Sequence, residues 1–240
     1  RMQSLEETRR AIEAFREKGV RSVNVDLVYG LPLQTMASCM RTIDEVIALS
    51  PDRIALFGYA HLPQRMKHQR LIKDEDLPGI IERFELSNGL ARHLIAAGYR
   101  QVGMDHFAKP DDTLATKPLH RNFQGYTSEK AEALIALGAS AIGHLPQGFV
   151  QNATSVHEYA RRIRDGGLAT ARGVAFSADD RMRASVIERL MCDFTFSARD
   201  ARERFGAAAE DILDTAAELL RDDRDGLVEA LDDGFRMTEQ

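Results

Sequence analysis

The sequence predicts an α/β fold followed by a small, mostly helical, winged-helix-like C-terminal domain. Three observations lead there. β-rich runs at 22–29 and 53–59 alternate with helical patterns over 4–18 and 36–49. The connections between them are short, as in a parallel sheet with crossover helices. From about residue 174, three helical stretches end in a hairpin signal at 226–237. We divide the chain at 1–150 and 151–240.

Each element has a local reason. Ser4 and Glu7 have capping-box spacing, and Leu5, Thr8, Ala11, Ile12 and Phe15 share one helical face before Gly19. Gly30-Leu31-Pro32 closes the first strand, and Pro51-Asp52 precedes the second. A long helix is expected over 78–97, ending at Gly98, followed by a short strand at 100–104. Residues 113–130 read as a long loop with one helical turn at 113–116, and loops of that length are uncommon unless functional. A helix at 130–137 and a strand at 139–143 follow. Further helices are expected at 153–165, 178–193, 198–204 and 208–222, then a hairpin turning at Asp-Gly.

The bulk properties narrow the function. A net charge of -5 disfavours a nucleic-acid partner, whose footprint is basic. Arg199, Arg202 and Arg204 form a small basic cluster, but acidic residues dominate 208–233. No apolar run approaches the roughly 20 residues of a membrane span. The two cysteines, Cys39 and Cys192, lie far apart, which fits free thiols in a cytoplasmic setting. The histidines show no metal-ligand spacing, so no metal is assigned to residues of this chain. The chain opens at Arg1 inside a helix signal and ends near an interrupted strand, which reads as a fragment.

In α/β sheets, ligands bind beyond the C-terminal strand ends. Those ends are Asp26 to Gly30 and Tyr59 to Pro63. Four segments stand out: 25–32 (VDLVYGLP), 58–63 (GYAHLP), 103–112 (GMDHFAKPDD) and 119–127 (LHRNFQGYT). Together with Gly138–Gly143, Leu145–Gly148 and Leu190–Phe194, they make the chain resemble the oxygen-independent coproporphyrinogen III oxidase family nearly end to end. The LHRNFQGYT and MDHFA runs carry most of the weight, because sibling radical-SAM proteins share the DLVYGLP run at 26–32.

The resemblance implies the second half of a partial (β/α) radical-SAM barrel, with S-adenosylmethionine and a [4Fe-4S] cluster as cofactors. It implies conversion of two propionates of coproporphyrinogen III to vinyl groups, with an unidentified electron donor. Cofactor contacts would fall on Arg1, Asp26, Ala60, Gln124 and Ile142, and His120 and Arg121 are candidates for the substrate carboxylates. Each has a plainer reading. Asp26 could cap a helix or pair with an arginine, Ala60 could pack as a small residue, and Ile142 could be a buried strand residue. The 119–127 loop could simply be held down by Phe123 and Tyr126, and His61 could be an ordinary loop histidine.

Departures from the family pattern are equally definite. The CxxxCxxC triad and the glycine-rich strand end that holds the cofactor amino group are absent, and the stretch between Leu114 and Leu119 is short. The chain alone is therefore expected to be inactive, and an unpaired barrel edge is expected to make it self-associate. The competing readings are a radical-SAM sibling such as a haem chaperone, and a non-enzymatic winged-helix binding module. A lid over the active site fits the acidic C-terminal helices better than DNA binding.

Overall fold

The computed structural model describes residues 3–238. Arg1, one of the expected cofactor contacts, lies outside them. The chain divides after Pro118 into two compact units.

The first unit opens with α1 (Leu5–Glu17), whose Ser4–Glu7 capping box forms as expected. β1 (Asn24–Tyr29), α2 (Met36–Leu49) and β2 (Arg53–Gly58) follow, with β1 and β2 parallel. After two 3₁₀ turns at 67–71 and 74–76 come α3 (Ile80–Ala96), β3 (Arg100–Val102), β4 (His106–Ala108) and α4 (Thr113–Thr116). The sheet order is β1-β2-β4-β3. It is mixed rather than purely parallel, because β4 runs antiparallel to both β2 and β3. The reason is local. Gly103 adopts φ +59° and reverses the chain between β3 and β4, far too short a link for a parallel crossover.

Strand alternation decides what each face of this sheet does. Val25, Leu27, Ile54, Leu56 and Phe107 turn toward α2 and α3, where they pack with Ile43, Val46, Leu86, Leu90 and Leu94. Full burial of each such side chain is worth about 1.5–3 kcal/mol. On the opposite face of β1, Asn24, Asp26 and Val28 are exposed. Asp112 ties the strand starts together. It accepts from Arg53 Nε (2.9 Å), Ser22 Oγ (3.0 Å) and the Leu114 amide (2.8 Å). Burial pushes its carboxyl up, but these three donors outweigh that and leave it below the usual carboxylate range.

The second unit begins with the hairpin β5 (His120–Asn122) and β6 (Gly125–Thr127), in the stretch expected to be a loop. β7 (Ile142–Leu145), β8 (Gly148–Asn152) and β9 (Thr170–Ala175) form an antiparallel sheet, with α5 (Val156–Arg164) between the last two. The helix expected at 130–137 is not there. Leu134 instead exchanges backbone hydrogen bonds with His144 (2.7 and 3.0 Å), so this segment runs extended beside β7. Tertiary pairing has overridden a local helical pattern.

The rest is α6 (Ala178–Asp193), β10 (Thr195–Ser197), α7 (Ala198–Phe205), α8 (Glu210–Asp222), β11 (Val228–Leu231) and β12 (Gly234–Met237). Three helices and a β10-β12-β11 sheet make the expected winged-helix arrangement. Its own core joins Met182, Phe196, Ala201, Ala209, Leu213 and Phe235. The hairpin turns at Asp232–Asp233, one residue before the Asp-Gly pair expected. Gly234 opens the returning strand because a Cβ there would fall 2.0 Å from the Phe196 carbonyl oxygen.

Candidate functional site

Two sets of expected site residues fall in different units, and each is built by its own strands. In the first unit, Asp26 stands in the middle of β1, opposite Ala55 of β2, on the exposed face. Among the described residues it caps no helix, and it accepts from Asn24, whose Nδ2 donates to Oδ1 at 2.6 Å. An exposed carboxylate held by one amide keeps acceptor capacity for a hydroxyl or ammonium group.

Ala60 follows β2. Its carbonyl accepts from Gln69 Nε2 (3.0 Å), while Gln69 Oε1 accepts from the Leu62 amide. Gln69 is thus a buried side-chain staple, 7% exposed, that fixes the 60–62 backbone. Nothing in the polar run Lys67–Leu71 marks it in sequence. Arg83 of α3, equally unforeseen, donates to the Tyr59 carbonyl (2.8 Å). The Tyr59 amide in turn donates to the Tyr29 carbonyl (2.8 Å), so the two strand ends are joined.

The loop after β2 carries two buried polar atoms without a partner among the described residues, Tyr59 Oη and His61 Nδ1. Native proteins seldom leave such atoms unpaired without a ligand, water or functional reason. His61 uses its other nitrogen toward Asp74 (3.4 Å). A cleft of about 310 Å³ also opens on the helix-backed side of the sheet, lined by Tyr29, Ser87, Asn88, Gln101 and Asp105 among others.

In the second unit, the β5–β6 turn meets β7. Gln124 Nε2 donates to the Ile142 carbonyl (3.4 Å), so these two expected contacts are brought together. Ile142 is a partly exposed strand residue. Phe123, beside Gln124, packs edge-on against Phe149 (4.8 Å). Tyr126 does hold the hairpin down, donating its hydroxyl to the Met191 carbonyl (2.8 Å).

His120 and Arg121 differ in availability. His120 Nδ1 is 3.0 Å from Glu188. Arg121 lies over the Tyr126 ring, 4.7 Å from its centroid, and its Nη1 is buried with no partner among the described residues. Arg121 therefore has unused donor capacity.

No group of three or more metal-ligating side chains comes together among the described residues. Both cysteines are buried. Burial pushes the Cys39 thiol up and the Cys192 thiol up to about 11, so neither is poised as a thiolate. Among the described residues, no helix is long and apolar enough to cross a membrane.

Comparison with known proteins agrees over nearly the whole chain. Residues 176–240 match the HemN C-terminal domain. The chain is 46% identical over 241 residues to the oxygen-independent coproporphyrinogen III oxidase of Bradyrhizobium diazoefficiens, covering 99% of this chain and 53% of that protein. The Pseudomonas aeruginosa protein of the same name is 47% identical over 210 residues, covering 86% of this chain and 46% of its own length. Among solved structures, the coproporphyrinogen III oxidase (HemN) of Escherichia coli, described as a radical SAM enzyme, superposes with a TM-score of 0.89 at 37% identity. That match covers 99% of this chain and 56% of the other. The chain thus spans about half the length of the curated relatives it matches. It is a homologue of the oxygen-independent coproporphyrinogen III oxidases over their shared α/β and HemN C-terminal regions.

Proposed function

We propose that the whole protein is an oxygen-independent coproporphyrinogen III oxidase, which decarboxylates two propionates of its substrate to vinyl groups and gives protoporphyrinogen IX in haem biosynthesis. The observation that carries this is the match of 99% of the chain, at TM-score 0.89, to an enzyme described as a radical SAM coproporphyrinogen III oxidase. S-adenosylmethionine with a reduced [4Fe-4S] cluster would supply hydrogen-atom abstraction, the hard chemistry that cofactors commonly carry.

The residues present suit the first of these groups. Asp26 would accept from ribose hydroxyls or pair with the amino group, a charge-assisted contact of the stronger kind. The Gln69 staple would hold the Ala60 backbone against the same molecule, and the unpartnered Tyr59 and His61 atoms in that loop add polar capacity. Gln124 and Ile142 would offer an amide and backbone to a ring system. Arg121 would take a substrate carboxylate with its unused donors, and His120 would do so by exchanging its Glu188 partner. The cluster ligands belong to a part of the family pattern that this sequence lacks. Cys39 and Cys192, both buried, are poorly suited to replace them. The two free thiols support a cytoplasmic enzyme.

The test is anaerobic reconstitution of the full-length protein with iron and sulfide, followed by assay with S-adenosylmethionine, reductant and coproporphyrinogen III. Protoporphyrinogen should form, and Asp26→Ala should lower kcat/KM by about a hundredfold, the scale of losing a charge-assisted contact. Cleavage of S-adenosylmethionine with the porphyrinogen left intact would instead identify a radical-SAM sibling such as a haem chaperone.

A further inference from the structure

One face of the β7–β8–β9 sheet has a composition that the cofactor contacts do not explain. The register places Ile142 opposite Gln151 and His144 opposite Phe149. It places Phe149 opposite Val174 and Gln151 opposite Arg172. These side chains therefore share one side. Phe149 stands edge-on to both Phe123 and Phe176 at 4.8 Å, and the His144 ring lies 5.1 Å from Phe149 and 5.8 Å from Phe176.

The reverse side cannot accept such groups at its glycines. A Cβ on Gly143 would lie 2.8 Å from the Leu134 carbonyl oxygen, and one on Gly173 would lie 2.8 Å from that of Phe149. The aromatic rings of the sheet thus stand on one side, with Leu145 and Val150 on the other, and the ring-bearing side is partly open. Phe123 is 58% and Val174 66% exposed. Exposed apolar surface rimmed by polar groups marks a binding site more often than chance.

The rim carries a cation. Arg172 Nε donates to Gln151 Oε1 (2.6 Å), and Gln151 Nε2 is itself anchored on the Ser140 carbonyl (2.9 Å). Among the described residues, Arg172 has no carboxylate within ion-pair distance. Its fork is therefore held in place by a neutral amide and remains unneutralised. An apolar ligand made of linked pyrrole rings with peripheral carboxylates matches this combination. Ring edges and faces suit phenylalanines, and a planar guanidinium suits a carboxylate.

We propose that this sheet face is the platform on which the tetrapyrrole lies, with pyrrole rings against Phe123, Phe149 and Val174 and one propionate on Arg172. The inference rests on the oxidase reading for its ligand and deepens it by naming the substrate-bearing surface. Continuity supports it. Ile142 is the next residue along the same side of β7 from His144, and its carbonyl already receives Gln124, so the platform runs directly into the residues proposed for the cofactor.

The test separates binding from turnover. The full-length, reconstituted protein is titrated with coproporphyrin III, the stable oxidised form of the substrate, and its absorption shift is followed. Arg172→Ala and Val174→Asp should each weaken binding about tenfold or more, while the affinity for S-adenosylmethionine and the circular dichroism stay unchanged. Arg172→Lys should recover part of the loss. Equal affinity in all variants, or no porphyrin binding by the wild type, overturns the platform. So does a Val174→Asp variant that dissociates an oligomer yet keeps its porphyrin affinity. Wild-type binding that depends on Arg172 without any turnover supports the platform and rejects the oxidase reading.

Discussion

The sheet of the first unit and the β7–β8–β9 sheet use their two faces in opposite ways. The first commits one face to a core under α2 and α3, where Ile54 and Phe107 are almost wholly enclosed. The second leaves all of β9 exposed and keeps its bulky rings on the open side. Residues of the first sheet's buried face and its ties should therefore govern stability, and residues of the second should govern binding. A framework that must stay put and a surface that must stay available cannot be the same face.

Substitutions can break or sharpen this contrast, and the largest effect comes first. Phe107→Ala should cost about 3–5 kcal/mol in chemical denaturation, because it leaves a cavity in the shared core. Asp112→Ala should cost about 2–3 kcal/mol, since it strands the partly buried Arg53 guanidinium. The Asp112 carboxyl, 6% exposed, sits below its ordinary value in the folded chain, so its contribution is present above the unfolded pKa of about 4 and disappears as pH falls through the folded one. Asp112→Asn should flatten that acid limb in a stability–pH profile.

Smaller effects follow. Gln69→Leu should cost about 1–2 kcal/mol by leaving the Ala60 carbonyl and Leu62 amide unpaired, and should raise amide exchange across 60–62. Val174→Asp should stay within about 0.5 kcal/mol of wild type, as expected of an exposed position. A large loss there would erase the contrast between the two sheets. Separately, β1 has only β2 as a strand neighbour among the described residues. The 240-residue chain on its own should self-associate through that edge, and a clean monomer by light scattering at high concentration would contradict this.

The sequence was most readable where one element decides its own form. Helices with caps and a single apolar face, such as Leu5–Glu17 and Met36–Leu49, were legible to within a residue or two. Short strands were not. β5, β6 and β10 have three residues each, too few to show a period, while β9 and β10 form because partners beyond an intervening helix pair with them. Leu134–Leu137 has helical spacing, yet pairing of Leu134 with His144 prevails. The segment around Ala60 at the end of β2 was findable from its polar, turn-rich composition, whereas Asp26, expected at a strand end, stands in the middle of β1. Gln69, Arg83 and Arg172 were not, since a lone polar residue becomes distinctive only once the chain brings its partner near.

The Asp233 side chain joins two elements that a sequence reading treats separately. It receives the Ser197 hydroxyl (2.6 Å) and the Arg199 amide (2.9 Å), so the turn of the C-terminal hairpin closes the first turn of α7. Neither can fray alone: opening the wing uncovers the helix start, and unwinding that start frees the turn. The two should therefore exchange their amide hydrogens with one common opening rate, behaving as a single cooperative unit at the far end of the chain.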